Sequence, residues 1–549
     1  GMATGGAVNR RKFLLASAGA AAGAAYVWRR GRTAAPSITG TMAGPSVDLG
    51  HLLRDGGIPE PTDERQVPVV IVGGGVSGLS AGWKLQKAGL TDFEILELES
   101  EVGGNSRYGE NRVTPFPWGA HYLPLPTEES RIVRELLEEL GVIEGYTPDG
   151  QPIYQERALC FAPQERLYMH GRWQDGLMPV VGITSRDRDQ YERFREIIDH
   201  YTHYQGADGR KAFAIPMTFS SRDPELLALD QLSMRDFLFQ HDLVSEPLHW
   251  YVNYACRDDY GCTSSDVSAW IGLHYFASRD SSGFEHVQVL TWPEGNGWIV
   301  RQLHRKLEDQ IVTGALVCRL ENHDSGVRVE VYYPQENRTE TIRADQVIYA
   351  CPQFLTPYLF AGLSDERTSL VRQFEYAPWL VANMTLRDFP APDRRRTPLA
   401  WDNVIYDSPS LGYVVATHQS VRTHLKETVF TYYYPLSDGA PADERKRLLD
   451  TSWETWVNMM LTDLSRPHPD ISDLVRQVDI FRWGHAMVRP RPGFVWGEAR
   501  RRVAKACGQI HFAHSDLSGF SIFEEAQYRG VAAAEQVLTA LQVPFTSSL

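Results

Sequence analysis

The residues best suited to chemistry lie close together in one stretch, residues 67–104. Gly73, Gly75 and Gly78 form a G-x-G-x-x-G turn directly after the apolar run Val69-Val70-Ile71-Val72, and Glu97 follows 24 residues after Gly73. In such a turn the first glycine permits the tight bend, the second lets backbone approach a pyrophosphate, and the third lets helix pack on strand. Val76 and Ser77 would open the helix, whose unpaired N–H groups and positive dipole end favour phosphate. Glu97, with Leu98 after it, falls where a carboxylate accepts hydrogen bonds from ribose hydroxyls. Strand, glycines, helix, second strand and acid occur in register, so the stretch is expected to bind a dinucleotide. A structural βαβ unit with an idle turn is the competing reading, and these residues alone leave NAD and FAD both open.

Certain elements must position those residues. The β-branched run 69–72 reads as a buried parallel strand, residues 79–88 as a helix stopped by Gly89, and residues 93–98 as the next strand. At 549 residues the chain is too long for one simple core, so two packed domains are expected. A net charge of −14 argues against a nucleic-acid partner. The basic triplets Arg394-Arg395-Arg396 and Arg500-Arg501-Arg502 read as solvated surface. Six cysteines contain no C-x-x-C and no metal-ligand spacing, so no metal is expected. Cys256 and Cys262 read as buried thiols, with a bridge between them as the alternative.

The first 35 residues have a different character. Gly1 ahead of Met2 reads as a cloning remnant. Asn9-Arg10-Arg11-Lys12-Phe13-Leu14-Leu15 resembles a twin-arginine export signal, followed by an Ala- and Gly-rich stretch to residue 28 that is short for a membrane span. That resemblance implies the twin-arginine export machinery as a partner and a periplasmic or exported location. Cleavage near residues 20–25 or 33–35 is expected, with an uncleaved anchor as the alternative. Removing the six basic residues of the leader would take the net charge to −14 − 6 = −20. Residues 36–66, rich in Gly and Pro, read as a linker or N-terminal arm.

Leu96-Glu97-Leu98-Glu99-Ser100-Glu101-Val102-Gly103-Gly104 matches L-E-x-x-x-x-x-G-G and resembles the FAD-dependent amine oxidase and phytoene desaturase superfamily. The resemblance favours FAD, with Gly103 and Gly104 against the cofactor. It implies an α/β fold, a doubly wound FAD/NAD(P)-binding Rossmann-like domain with an inserted α+β substrate domain. The cofactor domain would comprise residues 67–127, 289–352 and 481–549. The substrate domain would comprise 128–288, mainly helical, and 353–480, rich in strands. Asn105 follows the double glycine, and Arg107 comes later than the family's arginine. Within Phe116-Pro117-Trp118-Gly119-Ala120-His121-Tyr122-Leu123, the resemblance puts Gly119, Ala120, His121 and Tyr122 beside the isoalloxazine ring. His121 could accept a proton there or serve as a structural hydrogen-bonder.

The same resemblance continues at Asp345-Gln346-Val347-Ile348-Tyr349-Ala350-Cys351-Pro352, similar to A-D-x-V-I-x-A-x-P, which implies that Cys351 borders the cofactor and Val317 meets the adenine through its backbone. Phe512-Ala513-His514-Ser515-Asp516 resembles F-A-G-E/D, with His514 in the glycine's place and Ser515 or Asp516 near the pyrophosphate or ribityl chain. Residues 519–538, with Ile522 and Phe523 at the turn, match the terminal helix whose N-terminus would face flavin N1 and O2. Trp483 and Phe520 are the candidates for aromatic flanks of the ring, with plain packing as the alternative. Many amine oxidases carry a lysine near flavin N5, yet no lysine occurs between Lys306 and Lys426. No cysteine lies in the C-terminal motif, so non-covalent FAD is expected.

Between the motifs, residues 153–159 and 167–169 read as short strands, and residues 186–201 and 233–240 show helical periodicity. Arg257-Asp258-Asp259-Tyr260 interrupts an aromatic stretch and reads either as a solvated loop with local ion pairs or as a pocket wall. The resemblance implies hydride transfer from a substrate C–H bond to flavin N5, with oxygen or another acceptor regenerating the flavin, and a small amine or apolar compound as substrate. A desaturase or isomerase of an apolar substrate is the first alternative. A flavin-stabilised binding protein without activity is the second.

Overall fold

The computed structural model describes residues 37–279, 288–422 and 424–549. The leader reading lies outside the described residues.

The strand Val69–Val72 is buried at every position, as its unbroken β-branched run requires. It is central in a five-stranded parallel sheet, ordered Ile311–Val312, Phe93–Leu96, Val69–Val72, Gln346–Tyr349, Ile510–Phe512. Sequence-distant segments therefore meet side by side, and three separate stretches of chain build one cofactor-type sheet. The helices Val76–Lys87, Gly297–Leu307 and Phe523–Ala540 cover one face in a shared apolar core. A four-stranded sheet covers the other face: Leu316–His323, Gly326–Tyr333, Arg338–Ala344 and Asp63–Gln66.

The second body is an eight-stranded mixed sheet carrying helices. Its long central strand, Tyr376–Leu386, is buried at all eleven positions. One side of that strand (Ala377, Trp379, Val381) packs towards the helical segment. The other side (Leu380, Ala382, Met384, Leu386) packs with Trp456, Val457 and Met460 of the helix Trp453–Leu464. Strands buried on both faces are near-continuously apolar, which is why no strict alternation marks them in the sequence.

Residues 37–66, open between linker and arm by sequence, carry ordered elements: Met42–Ala43 pairs in parallel with Ile480 and Phe481, Val47–Asp55 is a helix, and Asp63–Gln66 pairs with residues 340–343. Residues 153–159, expected as a strand, give only Pro152–Tyr154 before a 3-10 turn at Glu156–Ala158. Arg500 is buried and donates to the Val495 and Leu517 carbonyls, so only the rest of that triplet faces solvent. Burial and the nearby Arg529 push the Arg500 guanidinium down to about 9. All six cysteines are free thiols, Cys256 and Cys262 included.

Candidate active site and cofactor cradle

The glycine turn is built as the spacing demands. Gly73 adopts φ +103°, and a Cβ there would lie 2.9 Å from the Ala350 carbonyl and Cys351 Sγ. A Cβ on Gly78 would lie 1.9 Å from the Gly73 carbonyl, so helix and turn can touch only through glycine. Gly75 differs: a Cβ there would meet nothing nearer than the Gly104 Cα at 3.9 Å. Gly103 N–H donates to the Gly74 carbonyl at 2.8 Å, laying the double glycine along the turn. The helix Val76–Lys87 begins at Gly75 with no side-chain cap, so its first N–H groups are offered to a ligand. Ser77 uses its hydroxyl on the Ala526 carbonyl, at 2.8 Å, and thereby fastens the terminal helix to this one.

Glu97 is held from two sides. Gly74 N–H donates to its Oε2 at 2.8 Å and Glu99 N–H to its Oε1 at 2.9 Å. Burial raises its pKa against those two bonds. Ala315 N–H donates to the Glu97 carbonyl at 2.9 Å, which brings Val317 and its strand alongside. Leu98 is half-buried beside it. Asp516 lies across the sheet, where its Oδ2 accepts from Gln353 N–H at 2.8 Å and Tyr376 O–H at 2.6 Å. Its Oδ1 lies 3.1 Å from His514 Nδ1, but Asp516 N–H already donates to that nitrogen. Buried Oδ1 is thus left without a donor. Ser515 begins the buried turn Ser515–Ser518 that carries Asp516.

These features fit FAD: an open space where pyrophosphate meets the second glycine, an uncapped helix N-terminus, an anchored carboxylate for ribose, and a buried carboxylate oxygen wanting a hydroxyl donor. Among the described residues no group of three His, Cys, Asp or Glu is arranged as metal ligands.

Seven of the expected cofactor neighbours converge on a cavity of about 150 Å³: Asn105, Gly119, Ala120, His121, Tyr122, Ile522 and Phe523. Trp379, Val381, Tyr433, Trp483 and Met487 complete an apolar wall, and Asp258, Asp259, Arg279 and Glu524 add charge. Trp483 donates its indole N–H to the Trp118 carbonyl at 2.8 Å, fixing its ring. Tyr433 donates to the Gly119 carbonyl at 2.8 Å and stacks on His121, centroids 4.4 Å apart. Burial drives the His121 pKa down to about 3, with the Gly119 carbonyl opposing weakly. The imidazole is therefore neutral and a poor proton acceptor.

Phe520 does not take the place expected of it. It is fully buried in the substrate-domain core, edge-on to His274 at 5.2 Å, and lines neither cavity. Apolar packing claimed it because Gly519, at φ +85°, turns the chain inward just before the helix.

A second cavity of about 410 Å³, the outer one as counted from the cofactor motifs, adjoins the first and shares His121, Tyr122, Pro124, Asp258 and Arg279 with it. The Arg257-Asp258-Asp259-Tyr260 stretch is no solvated loop: it closes the helix Glu246–Tyr260, and Asp258 and Asp259 face these cavities. Tyr122 donates to Asp259 Oδ1 at 2.9 Å and Arg279 to its Oδ2 at 2.8 Å. Tyr433, Trp379, Arg279 and Glu524 were missed because no motif marks them. The adjacent acids in an aromatic helix were the available signal.

A family model for flavin containing amine oxidoreductases matches residues 76–538. The chain is 32% identical over 143 residues to a Baeyer-Villiger monooxygenase (peniC) of Penicillium patulum, covering 26% of this chain and 20% of that protein. It is 30% identical over 99 residues to Polyamine oxidase 7 of Oryza sativa subsp. japonica, covering 17% and 21% respectively. The matches thus span about a fifth of each relative's length. Wild-type putrescine oxidase bound to putrescine superposes with a TM-score of 0.64 at 16% identity, over 87% of this chain and all of that one. A fatty acid isomerase of P. acnes that produces CLA superposes with a TM-score of 0.59 at 16% identity, over 86% of this chain and 98% of the other. The fold is shared across these structures, and the family match extends over most of the chain. The protein therefore belongs to the flavin-containing amine oxidoreductases, with FAD as its cofactor.

Proposed function

We propose that the protein is an FAD-dependent oxidoreductase acting on a cationic amine, with oxygen as the final electron acceptor. One observation carries the substrate class. The outer cavity wall holds six acidic side chains (Glu165, Glu192, Glu196, Asp199, Asp258, Asp402), of which burial keeps Asp258 and Asp402 largely protonated at neutral pH, against two guanidiniums, Arg195 and Arg279. Residues 280–287, which follow Arg279, bring no lysine or arginine by sequence. A cleft with an excess of one charge sign and low-dielectric walls raises the local concentration of the opposite charge. The likeness to putrescine oxidase, which binds a diamine, supports the same class. A fatty-acid carboxylate would be repelled by this wall, which disfavours the isomerase alternative.

Bound FAD would supply a two-electron acceptor at N5 for the hydrogen on the carbon next to the substrate nitrogen. The chain does the remaining work. Trp379, Tyr433 and Trp483 line the inner cavity and exclude water, and aromatic faces attract an alkylammonium. His121 adds an uncharged ring to that wall. No lysine reaches the cavity from the strand Tyr376–Leu386, where Trp379 and Val381 stand.

The export reading belongs here too. The leader's resemblance to twin-arginine signals, which direct folded proteins, supports a periplasmic or exported flavoprotein, and Arg10→Lys with Arg11→Lys is expected to keep the flavoprotein in the cytoplasm. The function is tested by adding putrescine, cyclohexylamine, benzylamine and a C18 fatty acid to the purified flavoprotein without oxygen. Bleaching of the flavin bands by an amine and not by the fatty acid, with peroxide formed on adding air, is expected. Flavin that every amine leaves oxidised refutes the proposal.

A further inference from the structure

The geometry points to Asp258 as the group that takes the proton from the substrate's ammonium, a catalytic residue for the amine reading above, on which this assignment rests. Hydride leaves a carbon next to nitrogen only when the nitrogen lone pair is free, and an ammonium has none. One N–H bond must therefore break and one carboxyl O–H bond form before oxidation. Amines of lysine-like basicity exist as the free base in only about one part in 10³ at neutral pH.

Asp258 is the one carboxylate among the described residues that lines both cavities, so a substrate passing inward meets it on the way to the cofactor. The other shared residues are unsuited. His121 has lost its basicity to burial. Arg279 is a cation committed to Asp259. Tyr122 has one hydroxyl hydrogen, and it points to Asp259 at 2.9 Å although Asp258 is also within its reach. Asp259 therefore takes the two donors and Asp258 is left to a ligand.

The surroundings set its proton affinity. Burial acts first, then Asp259 on the same helix, with Glu165 on the sheet adding to it and Arg279 opposing. Asp402 and Glu524, facing the same cavities, are themselves raised, and the ring hydroxyls of Tyr254, Tyr275 and Tyr433 stay protonated. Asp258 also occupies the last turn of its helix, closed by Gly261, where the dipole's negative end disfavours a carboxylate. Its pKa is held at about 8, close enough to an amine's for transfer in either direction.

The test is the rate of anaerobic flavin reduction by putrescine and by cyclohexylamine, measured from pH 6 to 10 for the wild type, Asp258→Asn and Asp258→Glu. The wild-type rate is expected to rise with pH and level off near 8. Asp258→Asn should be slower by about 100-fold at pH 7 and keep rising tenfold per pH unit towards the amine's own pKa. Asp258→Glu should restore the plateau. Flavin content and melting temperature report whether each variant is folded. Should Asp258→Asn fail to hold flavin, Asp258→Glu decides, and a missing plateau there overturns the assignment. A wild type reduced by amine with a profile that Asp258→Asn leaves unchanged refutes the assignment alone. A wild type that neither amine reduces, by contrast, refutes the amine reading together with it.

Discussion

Gly75 and Gly78 lie three residues apart in one motif, and replacing each by alanine should give opposite failures. At Gly75 the backbone is at φ −74° and ψ −175°, which alanine adopts freely, and the added methyl meets only the Gly104 Cα at 3.9 Å. The fold without cofactor should lose no more than about 1 kcal/mol, the cost of alanine at a helix N-cap. The methyl would occupy the space reserved for the pyrophosphate. Pushing that group off the helix N-terminus removes about two charge-assisted hydrogen bonds, together worth about 3–6 kcal/mol, or roughly 10²- to 10⁴-fold in FAD affinity. At Gly78 the new Cβ would sit 1.9 Å from the Gly73 carbonyl, so helix and strand must separate, and overpacking of that kind costs about 3 kcal/mol or more. Equilibrium dialysis of FAD and thermal melts of the flavin-free protein separate the two. Gly75→Ala that binds FAD like the wild type, or that melts as low as Gly78→Ala, would refute the assignment of that space.

His514 sits at φ 121° and ψ 147°, a region almost reserved for glycine, while its Nδ1 accepts from Asp516 N–H. His514→Gly should therefore raise the melting temperature and His514→Ala lower it, since alanine keeps the strain and loses the bond. Asp230 is buried with its pKa raised to about 6, chiefly by burial. A carboxyl whose folded pKa is raised contributes stability that is present below the unfolded pKa of about 4 and lost as pH rises through 6. Asp230→Asn should thus gain up to about 3 kcal/mol over the wild type at pH 8, read by urea melts at pH 4 and 8. Arg500→Ala strips the buried Val495 and Leu517 carbonyls of their donor and should destabilise by about 3 kcal/mol or more by the same melts.

The parts legible in the sequence are those where backbone geometry dictates residue type. Gly73 needs positive φ, Gly78 needs contact without a Cβ, and the strand Val69–Val72 needs apolar side chains on both faces. Such demands leave a local signature. The substrate cavity has no such signature, because its walls come from residues 122, 258, 402 and 433 on unrelated elements, and each wall needs only a shape or a charge at one point. Asp258 and Asp259 look identical in sequence, yet only tertiary packing gives Asp259 its two donors and leaves Asp258 facing the substrate path. Phe520 misled for the converse reason: an aromatic beside a cofactor motif is chemically apt for either site or core, and the direction of one turn decides. Linker and arm both stayed open for 37–66 because its Gly and Pro residues lie outside its two edge strands, which are only two and four residues long.

That arm has a mechanical consequence. Met42–Ala43 adds to an outer edge of the substrate sheet and Asp63–Gln66 to an outer edge of the sheet covering the cofactor body, with Ser46 tied between them to Glu99 at 2.7 Å and 2.9 Å. One short segment thus works as a seam across both bodies, joined to the very strand end that holds Glu97. A protease that trimmed past residue 43 would bare the backbone of Ile480 and Phe481 as an unpaired edge open to another strand, so the seam sets how far the N-terminus can be shortened before that edge is exposed.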